Sequence, residues 1–245
     1  MCKTNDKLKT AMVLAAGLGT RMQPLTKARP KPLIRLACKT LIDRVLDHLN
    51  TAGVTKIVVN THYKSEMLEM HLAKREGIVF SPEPNLLETG GGVKKALRQL
   101  GDNAFFVINS DAVWLDGPTP ALQRMAQEWN EGKMDALLLF QRTVAVRGAA
   151  GRGDFFLKND GHATRRQEHA VAPYLFAGVQ ILHPRLFEGT PDGAFSLNAL
   201  YDRAEEARRL RGIVHDGEWY HVGTPEQRET AEHQIIHGNV SVNSR

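Results

Sequence analysis

Short β-rich apolar runs alternate with helix-patterned segments through the first half of this chain, and that rhythm admits few folds. Residues 11–15, 56–60, 78–81, 104–109 and 136–141 read as strands. Between the first two, Leu41, Val45, Leu46 and Leu49 recur at helical spacing behind a candidate cap at Thr40, and Val93, Ala96, Leu97 and Leu100 do the same ahead of the fourth. Strands separated by helical crossovers pair in parallel, so the expectation is an α/β sheet whose helical stripes are core rather than sites.

The pattern changes after about Arg142. Gly148, Gly151, Gly153 and Gly161 break the chain into short pieces before a strand-like run at 174–182, which reads as an inserted lobe. A helix near 198–207, strands near 210–215 and 218–222 and a closing helix from Thr224 follow, and the residues after about His237 read as a loose polar tail. With 245 residues, 42% hydrophobic and 24% charged, the whole chain 1–245 is expected to form one large soluble domain, divided at about residue 142 into a first half (10–142) and an insertion with closing elements (143–237). No stretch approaches the roughly 20 apolar residues of a membrane helix. The start MCKTNDKLKT lacks the apolar core of a signal peptide, so a cytoplasmic protein without a membrane partner is expected. Two cysteines, Cys2 and Cys38, are too few for a disulfide framework or a zinc site.

A formal charge of +5 favours anionic partners without choosing among nucleotides, sugar phosphates and nucleic acids. The densest basic stretch, residues 203–211, is interleaved with Glu205 and Glu206 and has no aromatic platform. It reads as a solvated helix face, and no nucleic-acid partner is expected.

The segment AMVLAAGLGTRMQPLT is the most informative piece of the chain, because a buried strand runs straight into a turn carrying Gly17, Gly19, Thr20 and Arg21. Glycines there let backbone N–H groups approach a triphosphate closely, although a plain strand-to-helix turn has the same pattern. A dinucleotide fingerprint is argued against by Met22 at the third glycine position and by a second strand ending in Asn60 rather than an acidic ribose partner. A P-loop is argued against by the missing Gly-Lys-Ser/Thr. Downstream, Pro30 and Pro32 flank Lys31, remove helix as a local option and hold the lysine on a stiff, extended segment that can return to the turn. Arg21 and Lys31 then offer fixed positive charge to neighbouring phosphates.

Two further segments fit a nucleotide site. Glu88-Thr89-Gly90-Gly91-Gly92 follows a proline-containing loop and opens a helix, so its backbone can approach a flat base; glycines that merely start a helix are the alternative. The strand Phe105 to Asn109 leads to Asp111 at its C-terminal edge, where open α/β sheets put their ligands and where a carboxylate can help to hold magnesium.

The run LAAGLGTRMQPLTKARPKPL resembles the signature of the nucleotidyltransferase family that makes nucleotide-sugars, L-A-A-G-x-G-x-R-x-x-P-x-T-x-x-x-P-K-P-L. The resemblance implies a Rossmann-like three-layer α/β/α fold with a mostly parallel sheet and an inserted sugar-binding lobe. It implies that Ala15, Ala16 and Gly17 border the nucleotide, that Gly19, Thr20 and Arg21 wrap the phosphates, and that Lys31 neutralises charge at the reacting phosphate. It also implies base and ribose contacts from Glu88, Gly90 and Gly91, a nucleotide contact from Asn109, and a metal ligand at Asp111 through the N-x-D pattern.

This sequence departs from the family at the second metal position. The usual W-x-D-x-G-T-P reads Trp219-Tyr220-His221-Val222-Gly223-Thr224-Pro225, so His221 stands where an aspartate is expected. Imidazole suits softer ions better than magnesium, so Mg2+ use is expected to be weakened, with Mn2+ or Co2+ as substitutes. The Glu-Lys-Pro segment that holds the sugar phosphate in many members is missing; Arg165 and Arg166 are candidates for its place, with exposed loop charge as the alternative. In the lobe, Asp154 beside Gly153, and Gly178, are the candidate sugar-binding residues, with a tight-turn aspartate the competing reading of Asp154.

The ETGGG, RGDF and HPRLFEG runs resemble the compact branch of the family, which includes uridylyltransferases acting on N-acetylmuramate α-1-phosphate in cell-wall recycling. The implied substrates are a nucleoside triphosphate and a sugar 1-phosphate, with UTP and N-acetylmuramic acid 1-phosphate as the expected pair and a monomer as the expected state. Guanylyl transfer to mannose 1-phosphate, or a non-catalytic nucleotide-binding protein left by the change at His221, are the alternatives. The implied reaction is in-line attack of the sugar-phosphate oxygen on the α-phosphorus, which requires no protein nucleophile.

Overall fold

The structure is a computed structural model and describes residues 8–146 and 151–237; Cys2, Gly148 and the stretch beyond His237 lie outside the described residues. In chain order the strands are β1 (Thr10–Leu14), β2 (Arg35–Leu36), β3 (Lys39–Thr40), β4 (Lys56–Thr61), β5 (Ile78–Pro82), β6 (Phe105–Asn109) and β7 (Val113–Leu115). They continue as β8 (Ala136–Arg142), β9 (Phe155–Leu157), β10 (Ala163–Arg165), β11 (Tyr174–Leu182), β12 (Leu210–Val214) and β13 (Glu218–Tyr220). The helices are α1 (Leu25–Ala28), α2 (Leu41–Thr51), α3 (Ser65–Leu72), α4 (Glu88–Leu100), α5 (Ala121–Glu128), α6 (Leu197–Glu206) and α7 (Pro225–His237).

A nine-stranded mixed sheet organises the molecule. At its centre β1 is parallel to both β4 and β6, and β4 is parallel to β5. On the far side of β6 the chain reverses: β11 is antiparallel to β6 and to β8, and β12 is parallel to β8. The strands after residue 142 therefore extend the sheet begun by the first half. The β9–β10 hairpin hangs from β11 through the Tyr174–Phe155 pair and forms the inserted lobe.

Burial on β1 explains the layering. Ala11 and Val13 face one side and pack with Ile42, Val45, Leu46 and Leu49 of α2 and with Leu122 and Met125 of α5. Met12 faces the other and packs with Val93, Ala96 and Leu100 of α4 and Leu200 of α6. Both faces are covered, so the central strands are apolar through their middles, with polar residues such as Asn60 and Asn109 only towards their ends, and show no alternation in sequence. Each fully buried aliphatic or aromatic side chain here contributes ~1.5–3 kcal/mol relative to exposure. The Rossmann-like three-layer α/β/α arrangement expected from the sequence is present.

The longer strands fall within two residues of the sequence expectation, and Thr40 caps α2 by accepting from the Asp43 N–H at 3.2 Å. The sequence pattern foresees the three-residue β13, as part of a longer run at 218–222, but not the β2–β3 and β9–β10 hairpins or β7, nor α1, α3 and α5. A two- or three-residue strand has no period to read, and it exists here because a neighbour offers it hydrogen bonds. No described helix is long and apolar enough to cross a membrane.

Candidate functional site

The C-terminal ends of β1, β4, β5 and β6 form one edge of the sheet, and a cavity of about 250 Å³ opens over it. Its walls include Ala15, Ala16, Gly17 and Gly19 from the turn after β1, Glu88 and Thr89 from the start of α4, and Asn109, Ser110 and Asp111 from the end of β6. A second cleft of about 210 Å³ is lined by Gly19, Thr20, Arg21, Lys31 and Gly223. Gly19 and Lys31 belong to both, so the two spaces adjoin through them.

The glycine-rich turn is held from below. Gly19 has φ +63°, and a Cβ there would stand 2.9 Å from Thr26 Cγ2 and 3.0 Å from Lys31 Cβ. Glycine is required on both counts. The buried Thr26 hydroxyl donates to the Gly19 carbonyl at 3.0 Å, and the Tyr63 hydroxyl donates to the Thr26 carbonyl at 3.0 Å. From Gly19 the chain enters a single 3-10 turn, Thr20–Met22, that anchors Met22 in the core and leaves Thr20 and Arg21 outside.

The prolines act somewhat differently from the expectation of an extended segment. Arg29 and Pro30 are extended and end α1, and Lys31 then opens a 3-10 turn, Lys31–Leu33, with Pro32 inside it. That turn brings the ammonium of Lys31, whose side chain is 13% exposed, into an ion pair with the carboxylate of Asp111, whose side chain is 34% exposed. The Ser110 N–H donates to the Leu14 carbonyl at 3.0 Å, so the chain stays stitched to β1 just ahead of Asp111.

The three glycines that open α4 are accounted for mainly by protein contacts. Gly90 and Gly91 donate their N–H groups to the Phe195 carbonyl at 2.8 and 3.1 Å. A Cβ on Gly90 would stand 2.4 Å from the Phe195 ring, and one on Gly91 would stand 2.2 Å from the Gly193 carbonyl oxygen. Helix starts leave such N–H groups without intrahelical partners, and a loop from the second half of the chain satisfies these two. Glu88 and Thr89 line the cavity; Gly90 and Gly91 lie one step behind it.

His221 follows β13 and faces the same region. Burial holds its imidazole below the ordinary histidine range, helped by the charges of Arg21 and Lys31 and opposed by those of Asp111 and Asp154. The ring is therefore a neutral nitrogen donor in a field shaped by four expected site residues. Gly223 leaves it room, since a Cβ there would stand 2.8 Å from His221 Nε2. Among the described residues no three histidine, cysteine or carboxylate side chains gather closely enough to hold a metal ion by themselves. Asp111 and His221 supply one carboxylate and one neutral imidazole, which would need further oxygen donors to hold a divalent ion.

The candidate sugar residues sit at the fork of the sheet. Asp154 accepts the Phe176 N–H at 2.9 Å, which ties the lobe to β11 while its charge acts on His221. Gly178, at φ +79°, occupies the bulge where β11 changes partners, and a Cβ there would stand 3.1 Å from Asn109 Nδ2. Neither lines the two cavities. Arg165 and Arg166 are committed elsewhere: Arg165 grips Asp202 with bonds of 2.5 and 2.9 Å, and Arg166 donates to the Gly153, Gln167, Glu168 and Ala170 carbonyls.

Sequence reasoning missed Asn60 and Glu83 in the cavity wall. The available signal was a polar residue ending the apolar run KIVVN and an acid preceding a proline, neither of which has a distinctive period.

Comparison with known proteins shows what this chain is similar to. The family described as nucleotidyl transferase matches residues 10–144. A protein named N-acetylmuramate alpha-1-phosphate uridylyltransferase, from Caulobacter vibrioides, is 42% identical over 93% of this chain and 97% of its own length. A mannose-1-phosphate guanyltransferase from Hypocrea jecorina is 42% identical over 42% of this chain and 30% of its own length. The solved structure of a UDP-glucose pyrophosphorylase with UDP-glucose superposes with TM-score 0.76 at 18% identity, covering 94% of this chain and 99% of that one.

Proposed function

The chain belongs to the nucleotidyl transferase family as a sugar-1-phosphate nucleotidyltransferase, and from that membership we propose that it transfers uridylyl from UTP to N-acetylmuramate α-1-phosphate, releasing pyrophosphate. The observation that carries the transfer chemistry is the meeting of Lys31 and Asp111 where the two cavities adjoin at the glycine-rich turn. Base and ribose occupy the larger cavity against Ala15, Glu88 and Thr89, and the phosphates run past Gly19 and Lys31 towards Thr20 and Arg21. The choice of base and sugar is supported by the uridylyltransferase relative, 42% identical along nearly its full length, whereas guanylyltransferases that match a similar share of this chain are 25–27% identical.

In this reading Lys31 and Arg21 hold the triphosphate and stabilise charge as the α-phosphorus is attacked in line, with preorganised donors in place of a protein nucleophile. The sugar phosphate enters from the β11 side, where Asp154 and Gly178 stand. Asp111 and His221 are the residues that would hold a divalent cation arriving with the triphosphate. When bound, that ion supplies further neutralisation of the departing pyrophosphate. An imidazole in place of a second oxygen donor favours manganese or cobalt over magnesium.

The test is pyrophosphate release from UTP plus N-acetylmuramic acid 1-phosphate, beside GTP plus mannose 1-phosphate, each with magnesium, manganese and cobalt. Turnover of the first pair above the second supports the proposal. Faster turnover of the GTP pair would overturn the assigned specificity, and silence of both pairs in all three metals would leave a nucleotide-binding protein without catalysis.

A further inference from the structure

One buried carboxylate joins both walls of the larger cavity. Glu83, just past β5, and Asn60, on β4, are each 3% exposed. Glu83 Oε1 accepts from the Asn60 side-chain amide at 2.7 Å, and Glu83 Oε2 accepts the Leu87 N–H at 3.1 Å. Asn60 Oδ1 in turn accepts the Ala15 N–H at 2.7 Å. The chain of bonds therefore runs from the glycine-rich turn after β1, across β4 and β5, to the residue that precedes Glu88. The backbone of Glu83 is pinned as well, its N–H donating to Thr61 and its carbonyl meeting His62 Nδ1, both at 2.7 Å.

Space at this junction is reserved for the relay. A Cβ on Gly92 would stand 2.7 Å from Glu83 Oε1 and 3.0 Å from Asn60 Nδ2. The third glycine of the run thus makes way for the acid and amide.

Hydrogen-bond polarity explains why position 83 is an acid. The Ala15 N–H fixes Asn60 with its oxygen towards the turn, so its NH2 needs an acceptor at position 83. The Leu87 N–H needs a second acceptor from the same side chain. An ionised carboxylate offers acceptors at both ends, whereas glutamine offers one acceptor and one donor and leaves a donor facing a donor somewhere along the relay.

We propose that Glu83 is a positioning residue for the nucleotide, fixing through Asn60 and Leu87 the separation of the turn and the α4 wall between which the base and ribose bind. The proposal rests on the reading of this cavity as the nucleotide site. Glu83 touches no reacting atom in it, and its effect is on nucleotide affinity.

The polarity argument supplies a test with a built-in rescue. Glu83→Gln is expected to weaken UTP binding about tenfold, the scale of one buried donor left unpaired. Asn60→Asp is expected to do the same by setting two carboxylates against each other. Combining Glu83→Gln with Asn60→Asp reverses the relay: the aspartate introduced on β4 accepts from both Ala15 and the new glutamine, while that glutamine still accepts from Leu87. This double variant is expected to bind UTP within about threefold of wild type. Dissociation constants for UTP and GTP by titration calorimetry, with thermal midpoints alongside, give the readout. Loss of midpoint with unchanged nucleotide affinity in Glu83→Gln, or no recovery in the double variant, would overturn the proposal. If Glu83→Gln does not fold, a folded, UTP-binding double variant supports the relay, and an unfolded one overturns it. Wild-type protein that binds neither nucleotide would overturn the underlying reading of the site, and this inference with it.

Discussion

Replacing Lys31 with methionine removes the ammonium while keeping most of the stem, and it separates the lysine's chemical role from its structural one. The Lys31 side chain is 13% exposed and that of Asp111, with which it pairs, 34%, so solvent reaches the pair from the carboxylate side and screens it in part. Screened ion pairs of this kind contribute ~0–1 kcal/mol. In a chain of this size that corresponds to a midpoint shift of no more than about 4 °C. The loss in catalysis should be far larger, because a charged donor aimed at phosphate acts where charge develops; removing one such preorganised donor costs ~10²–10³ in turnover. Steady-state pyrophosphate release, with the thermal midpoint on the same preparations, measures both quantities. Turnover within about threefold of wild type would refute the role given to Lys31. A midpoint drop above about 10 °C would instead show that the side chain holds the fold.

Three further outcomes are expected. Gly19→Ala should lose about 2 kcal/mol in urea denaturation, since it combines left-handed backbone with a 2.9 Å approach to Thr26 Cγ2; a loss below about 0.5 kcal/mol would contradict that geometry. His221→Asp should raise the ratio of magnesium- to cobalt-supported turnover at least several-fold, and an unchanged ratio would remove His221 from the metal site. His215 gives a pH signature: it is buried, burial holds its folded-state pKa below the ordinary 6.5, and its Nε2–H donates to the Leu115 and Glu218 carbonyls at 3.1 and 3.2 Å. The unfolded chain takes up this proton first, so the contribution is complete above about pH 6.5 and declines as pH falls through the folded-state value. The stability advantage of wild type over His215→Gln should therefore shrink between about pH 7.5 and 5.5, and a constant difference would refute it.

Much of the central sheet was legible because its information is local. Periodic stripes such as Leu41, Val45, Leu46 and Leu49 are written in the order of the residues, and so is the apolar run that became β6. The turn from Ala15 to Arg21 and the proline-flanked Lys31 were legible for the same reason, being one continuous segment with strong steric rules. Lys31 opening a 3-10 turn rather than staying extended is a small departure, set by the bond from the Ile34 N–H to the Lys31 carbonyl at 3.0 Å.

Sequence by itself determined the α/β layering, the central strand boundaries, the glycine-rich turn and the identity of the charged residues around it. Tertiary structure alone decided what those pieces are for in space. It gave Gly90 and Gly91 to the Phe195 carbonyl, tied Arg165 to Asp202, and put Asp154 and His221 within reach of one another's charge. It also joined Ala15, Asn60, Glu83 and Leu87 into one relay. The physical reason is the range of the interactions: steric and periodic preferences act over a few neighbouring residues, whereas a hydrogen bond between residues 45 positions apart exists only once the sheet has brought their strand ends together.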